Sequence, residues 1–380
     1  MRKIFQQIMN IVFLTRFDAA DISSWSGTPY YIYQKLKEKH TVEIIGPEIL
    51  NQLASFKRVN FSTNTFSPDD RYVKHLGRLL SERIDALGYD LIFMGDLVFI
   101  PTGANIPLVF LSDMTYEQVK IHYGKSDERN IEPCINLEKL SLKNATRIIY
   151  CSEWIKQKTI NFYHIDPVKI DVVEFGANIP TPTDFSIDIN MDICRLVFIG
   201  ADWERKRGNM VLEIYQLLKA EGFPCSLTII GSIPEDEPEE DENLTIIPFL
   251  DKTKKEDLGK LCQILSESHF LVLPTRFDAF GIVFCEASAY AVPSIATDVG
   301  GVSQAVREGK NGYLLPLDAT AENYAEKIKT VFGDKENYIK LRQTSRQEFE
   351  TRLNWDVWGE KVNKILEEAV AEYRELRVKN

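Results

Sequence analysis

No apolar run in this chain reaches the roughly 18 residues that a membrane-spanning helix requires. The six cysteines show no paired spacing and no C-x-x-C. Several lie inside apolar runs (Cys151, Cys225, Cys285), which fits reduced, buried thiols and argues against a disulfide framework or a zinc site. There is no excess of basic residues: 45 Lys and Arg against 56 Asp and Glu give a net charge of −11. That balance excludes bulk binding of nucleic acid. The acidic excess falls in the second half, so the neutral first half retains room for a local basic patch. The start, "MRKIFQQIMNIVFL", is basic and then apolar, but two Gln and an Asn break the run and "TRFDAAD" is a poor cleavage site. It reads as a short extension before a first strand, with Met9 as an alternative start, and a cytoplasmic location is expected.

A chain of 380 residues that is 44% hydrophobic, 27% charged and 11% aromatic has the composition of a globular protein with more than one core. Short apolar runs alternate with helical patterns, the signature of parallel sheets flanked by helices. "NIVFL", "TVEIIG", "DLIFM", "PLVFLS", "RIIYCS" and "IDVVEFG" are strand candidates in the first half. A Pro-, Thr- and Asp-rich stretch without periodicity then predicts a linker near 177–194. Strand candidates resume with "RLVFIG", "SLTIIG", "NLTIIPF", "HFLVLP" and "PSIATD", and amphipathic helices fill the last 60 residues. The expectation is two doubly wound α/β domains, 1–180 and 181–380, with ligands beyond the carboxyl ends of the strands and a cleft between the domains as the default site.

Three stretches carry chemistry. The pentapeptide TRFDA occurs at 15–19 and again at 275–279, each time after an apolar run; the flanks do not match, so it reads as a coincidence at two similarly placed loops. The second copy opens "DAFGIVFCEASA", where Asp278 and Glu286 stand eight apart around a Gly turn. A helix starting near Ile282 would point unpaired N–H groups of 280–283 at an anion or hydroxyl. The alternative is that Asp278 caps the helix and Glu286 is exposed. In "FIGADWERKRGNM", Arg205, Lys206 and Arg207 precede a helix and suit a diphosphate; a solvated charged turn is the alternative. Gly27, between the first strand and first helix, lets backbone approach a phosphate.

Together these stretches resemble the retaining glycosyltransferases of family 4, whose GT-B fold has two facing Rossmann-like domains. The resemblance implies an N-terminal acceptor-binding domain and a C-terminal domain that binds a nucleotide diphosphate sugar. By that resemblance Asp278 contacts donor-sugar hydroxyls. The turn Phe280, Gly281, Ile282 and Val283 meets sugar and phosphate, and Glu286 holds the ribose. Lys206 or Arg207 binds phosphate with Arg205 close by, the register between the two staying open. Gly231, Phe249 and Leu250 fall where the family holds the nucleotide, Gly300 and Gly301 in the loop that follows, and Gly27 in the N-terminal glycine loop. Three departures stand out. The first acid is Asp rather than Glu, and Ala201 replaces a usual Arg. Asp113 stands where many members carry a His, with His122 as the alternative.

The implied reaction moves a hexose-type sugar to a glycan, lipid-linked or other hydroxyl acceptor, with retention and in surface glycan or glycoconjugate biosynthesis. No cofactor is expected. No metal is expected either, since "PEDEPEEDEN" lacks the Gly turn of a calcium loop. A sugar-nucleotide epimerase and a two-domain sugar-binding protein are the competing readings. In "DDRYVKHLGRLLSERIDALG", Arg71, Lys74, His75 and Arg78 share one helical face, while Leu76, Leu80, Ile84 and Leu87 form the packing face. Weak, salt-sensitive contact of Arg71, Lys74 and Arg78 with the inner face of an anionic membrane is one reading of that face, a solvated surface the other.

Overall fold

The computed structural model describes residues 8–49, 70–95, 105–123, 128–182, 186–234 and 241–379. The chain divides into two compact units, Met1–Val173 with Gly359–Asn380, and Glu174–Trp358.

In the first unit, β1 (Asn10–Thr15), β2 (Thr41–Ile45), β3 (Leu91–Gly95), β4 (Leu108–Ser112), β5 (Arg147–Tyr150) and β6 (Ile170–Val172) form a parallel sheet in the order β2-β1-β3-β4-β5-β6. Its described helices are α1 (Thr28–Lys37), α2 (Asp70–Leu87), α3 (Tyr116–Tyr123), α4 (Glu128–Asn144) and α5 (Glu153–Tyr163). Every residue of β3 and β4 is buried, as expected of central parallel strands covered on both faces. On α2, Leu80 and Ile84 are fully buried, as their spacing predicts. Leu87 departs from the expected packing face: it closes the helix and is 53% exposed. Arg78 is exposed and lies 3.7 Å from Glu82 one turn on. The side chains of Arg71, Lys74 and Leu76 lie outside the described residues.

In the second unit, β7 (Cys194–Ile199), β8 (Cys225–Ile230), β9 (Leu244–Ile247), β10 (Phe270–Leu273), β11 (Ser294–Thr297) and β12 (Gly312–Leu315) take the order β12-β11-β10-β7-β8-β9. The helices are α6 (Trp203–Lys206), α7 (Gly208–Ala220), α8 (Lys255–Glu267), α9 (Ile282–Ala289), α10 (Val302–Ala305), α11 (Ala321–Gly333) and α12 (Lys335–Thr351). Numbered within the unit, the strand order is 6-5-4-1-2-3, the doubly wound arrangement whose order reverses between β7 and β10. β12 was not among the expected strands; it is a four-residue edge strand with two half-buried positions, too short and too polar at its flanks to read as an apolar run.

Two boundary expectations are corrected. The stretch 177–194 is not a free linker: its described residues belong to the second unit. Ala177, Asn178 and Ile179 are buried, Tyr290 Oη donates to the Pro180 carbonyl at 2.9 Å, and Arg342 Nε donates to the Ile187 carbonyl at 3.0 Å. Residues 183–185 lie outside the described residues. The last helix, α13 (Trp355–Lys379), does not stay with the second domain as expected. From Gly359 on it belongs to the first unit, where Asn363 Oδ1 meets His40 Nε2 at 3.0 Å and Glu372 accepts from Arg147 at 2.8 Å.

Candidate functional site

The reversal of strand order leaves a crevice beyond the carboxyl ends of β7 and β10, and the loops leaving those two strands carry the charged residues singled out in the sequence. After β7, Asp202 caps α6 by accepting from the Arg205 N–H at 3.1 Å, and its second oxygen accepts from Arg205 Nε at 3.0 Å. The helix lasts one turn because Arg207 takes a left-handed conformation, φ 56°. Gly208 then starts α7 with no side chain, and the Trp203 ring occupies the space a Cβ would need.

After β10, the second TRFDA runs against α6. The Arg276 N–H donates to the Arg205 carbonyl at 2.8 Å. Asp278 is 8% exposed, and Lys206 Nζ donates to both of its oxygens at 2.7 Å. Arg205 Nη1 reaches the Phe277 carbonyl at 2.9 Å and Asp278 Oδ1 at 3.3 Å. Lys206 is itself 8% exposed; burial pushes its ammonium below the usual lysine range, opposed by the adjacent Asp278 carboxylate. Removing one member of such a buried pair typically costs 3–5 kcal/mol. Asp278 therefore does not cap the helix. α9 begins at Ile282, with Gly281 at its N-cap, φ 88°, and no capping side chain; the Phe284 N–H is taken by the Gly281 carbonyl at 3.0 Å, and no side chain caps the first turn. Phe280 is buried against Phe175, ring centroids 5.7 Å apart, while Ile282 and Val283 are half-buried.

One helical turn into α9, Glu286 is 2% exposed and its Oε1 accepts from Lys252 Nζ at 2.5 Å. Burial with a cation partner replaces the alternative of an exposed Glu286. Lys252 was not foreseen. A buried glutamate requires a cation, but nothing local identifies which of the chain's 45 lysines and arginines supplies it from 34 residues away. Gly231 follows β8 with its Cα so close to the Gly200 carbonyl that a Cβ would stand 3.1 Å from it. Phe249, after β9, is 71% exposed and Leu250 half-buried. Gly300 packs on the Asp278 carbonyl, and the Gly301 N–H donates to that carbonyl at 2.9 Å.

Arg207 is not in this cluster. Its guanidinium donates to the Leu317 carbonyl at 3.0 and 3.1 Å and lines a cavity of about 510 Å³ with Trp203, Glu204, Arg276 and Thr320. The geometry thus puts Lys206, not Arg207, against Asp278. Two expected residues lie in the first unit. Gly27 caps α1 with φ 93°, and Asp113 follows β4, half-buried, its carbonyl 3.8 Å from Cys151 Sγ. His122 is exposed on α3, 5.9 Å from the Trp154 ring. Among the described residues no group of three or more His, Cys, Asp and Glu is arranged to hold a metal ion, and no helix is long and apolar enough to cross a membrane. Residues 235–240 of the acidic loop lie outside the described residues.

Residues 30–179 match the model of Glycosyltransferase Family 4, and residues 194–334 match that of Glycosyl transferases group 1. Among curated relatives, a D-inositol 3-phosphate glycosyltransferase of Gordonia bronchialis is 23% identical over 237 residues, covering 58% of this chain and 51% of that protein. The capsular polysaccharide biosynthesis glycosyltransferase CapM of Staphylococcus aureus is 24% identical over 249 residues, 61% of this chain and 65% of CapM. The chain thus spans about half to two thirds of these relatives. Among solved structures, sucrose-phosphate synthase of Thermosynechococcus elongatus superposes with a TM-score of 0.69 at 16% identity, over 98% of this chain and all of that one. A glycosyltransferase of Rickettsia africae gives 0.68 at 16%, over 96% and 99%. Anabaena HepE, solved with UDP-glucose, gives 0.61 at 15%, over 95% and 100%. With both halves matched by glycosyltransferase models and the whole chain sharing the GT-B fold of those structures, this protein belongs to glycosyltransferase family 4.

Proposed function

We propose that the protein transfers a sugar from a nucleotide diphosphate sugar to an acceptor hydroxyl, with retention of anomeric configuration, in glycan biosynthesis. The observation that carries this reading is the Arg205–Lys206–Asp278 cluster at the strand-order reversal of the second unit, with the uncapped start of α9 and Glu286 beside it. The relatives' names and the HepE complex with UDP-glucose support a nucleotide-sugar donor.

The chemistry follows from charge. Departure of a nucleoside diphosphate puts negative charge on its terminal phosphate. Arg205 and Lys206 are positioned cations in a partly dry site, where such stabilisation is worth far more than in water. Asp278, held in place by Lys206, accepts hydrogen bonds from donor-sugar hydroxyls, and Glu286 from the ribose. The donor's diphosphate shares Lys206 with Asp278, so sugar and leaving group are gripped by one connected set of charges. Neutralisation by these two cations requires no metal ion, and turnover is expected to persist in EDTA. Complete loss that Mg²⁺ or Mn²⁺ restores would contradict that expectation. Contact of α2 with a membrane, if made, is weak and salt-sensitive.

The test is a thermal-stabilisation screen over UDP-, GDP- and ADP-sugars, followed by NMR of the product's anomeric centre. Stabilisation by one donor class and a product of the donor's own configuration are expected. An inverted product would overturn retention, and isomerised sugar nucleotide without transfer would favour an epimerase.

A further inference from the structure

Lys252 has no role in the reading above, yet it makes the hydrogen bond that permits Glu286 to be buried. It lies in the segment 248–254 between β9 and α8. That segment is held by its own hydrogen bonds: Asp251 Oδ1 accepts from the Thr253 N–H at 3.0 Å and from Thr253 Oγ1 at 2.6 Å, while the Asp251 N–H donates to Asp257 Oδ2 at 3.0 Å. The lysine side chain is 23% exposed and the glutamate side chain 3%. The cation therefore reaches a nearly dry carboxylate from the solvent side. It binds Oε1. Oε2 accepts no hydrogen bond from the described residues.

We infer that Lys252 is a positioning residue for the donor: by fixing Glu286 Oε1 it turns Oε2 toward the ligand as an acceptor for the ribose hydroxyls. This rests on the assignment of Glu286 to the ribose. A buried carboxylate left without its cation turns toward water, and that change removes an acceptor the ribose needs. The pair also ties the segment bearing the exposed Phe249 to the helix bearing Glu286. Loss of Lys252 thus acts on nucleotide recognition and not on the cations at the leaving phosphate.

Titration calorimetry of the full chain with UDP, GDP and ADP and their 2′-deoxy forms tests the inference, on wild type, Lys252→Met and Lys252→Arg. For whichever ribonucleotide wild type binds, Lys252→Met should weaken binding by about thirtyfold or more, the scale of truncating one partner of a buried charge pair. The 2′-deoxy form should change far less, and Lys252→Arg should recover most of the loss. If Lys252→Met does not fold, Lys252→Gln carries the same comparison. Unchanged ribonucleotide affinity, or an equal loss for ribo and deoxy forms, would overturn the inference. Binding of none of the three diphosphates by wild type would instead overturn the donor-site reading, and this inference with it.

Discussion

At the scale of single residues, the two TRFDA copies show what identical side chains do in different surroundings. In both, the Phe N–H donates to the Thr hydroxyl two residues back, at 3.1 Å for Phe17 and 3.3 Å for Phe277. The local turn is therefore encoded by the pentapeptide. The aspartates then diverge. Asp18 is exposed and accepts from the Ala20 N–H at 2.9 Å, whereas Asp278 is buried against Lys206. The sequence located both loops, but only tertiary contact makes one of them a charged site. A second residue-scale feature concerns pH. His269, fully buried at the start of β10, accepts the Arg195 N–H on Nδ1 at 2.9 Å, so Nε2 carries the proton and donates to the Asn190 carbonyl at 2.8 Å. Burial pushes its pKa down from 6.5 to about 4. The folded state thus favours the neutral ring. The associated stability is fully present above pH 6.5 and is lost as pH falls toward 4, up to about 3 kcal/mol. Melting temperatures of wild type and His269→Gln measured from pH 7 to pH 4 should converge as the pH falls; parallel curves would contradict this.

At the scale of elements, what was legible followed from periodicity. The six expected strands of the first unit and five of the second were visible as apolar runs: central parallel strands covered on both faces need apolar side chains throughout, and the partly exposed edge strands β2 and β9 still keep short apolar runs. The start of α9 was readable from Gly281 and the apolar run after it. The Lys252–Glu286 pair was not, since the hydrogen bond joins elements whose adjacency depends on sheet order. Nor was the turning away of Arg207, which follows from a left-handed backbone at a non-glycine residue. The loop after β11 supplies an element-scale prediction. Gly300 has φ 55°, and a Cβ there would stand 2.2 Å from the Asp278 carbonyl. Left-handed strain and overpacking together make Gly300→Ala destabilising by about 2–4 kcal/mol. Because the clash falls on Asp278, donor affinity should drop as well. Chemical denaturation with a parallel ligand titration checks both, and a variant of wild-type stability would show that the loop yields without cost.

At the scale of the whole molecule, two doubly wound units were legible from the alternation of strands and helices, and their division was not. Composition marks 177–194 as irregular, and an irregular stretch between two periodic halves predicts a linker. Buried Asn178, which accepts from Trp355 Nε1 at 3.0 Å, shows how an aperiodic segment is fixed by packing. In the same way, the periodicity of α13 predicted a helix but not that Val362, Leu366 and Ala369 would be buried as part of the first unit. The central claim concerns the second unit, that Lys206 and Glu286 belong to the donor site of a glycosyltransferase. It is tested most directly by release of nucleoside diphosphate from the stabilising sugar nucleotide, measured for wild type, Lys206→Ala and Glu286→Gln with melting curves as a control on folding. Loss of roughly a hundredfold or more in turnover is predicted for Lys206→Ala, the scale of removing one group that stabilises transition-state charge, and a severe loss for Glu286→Gln, which removes a ribose acceptor, with folded protein throughout. Near-normal turnover in both variants would contradict the account.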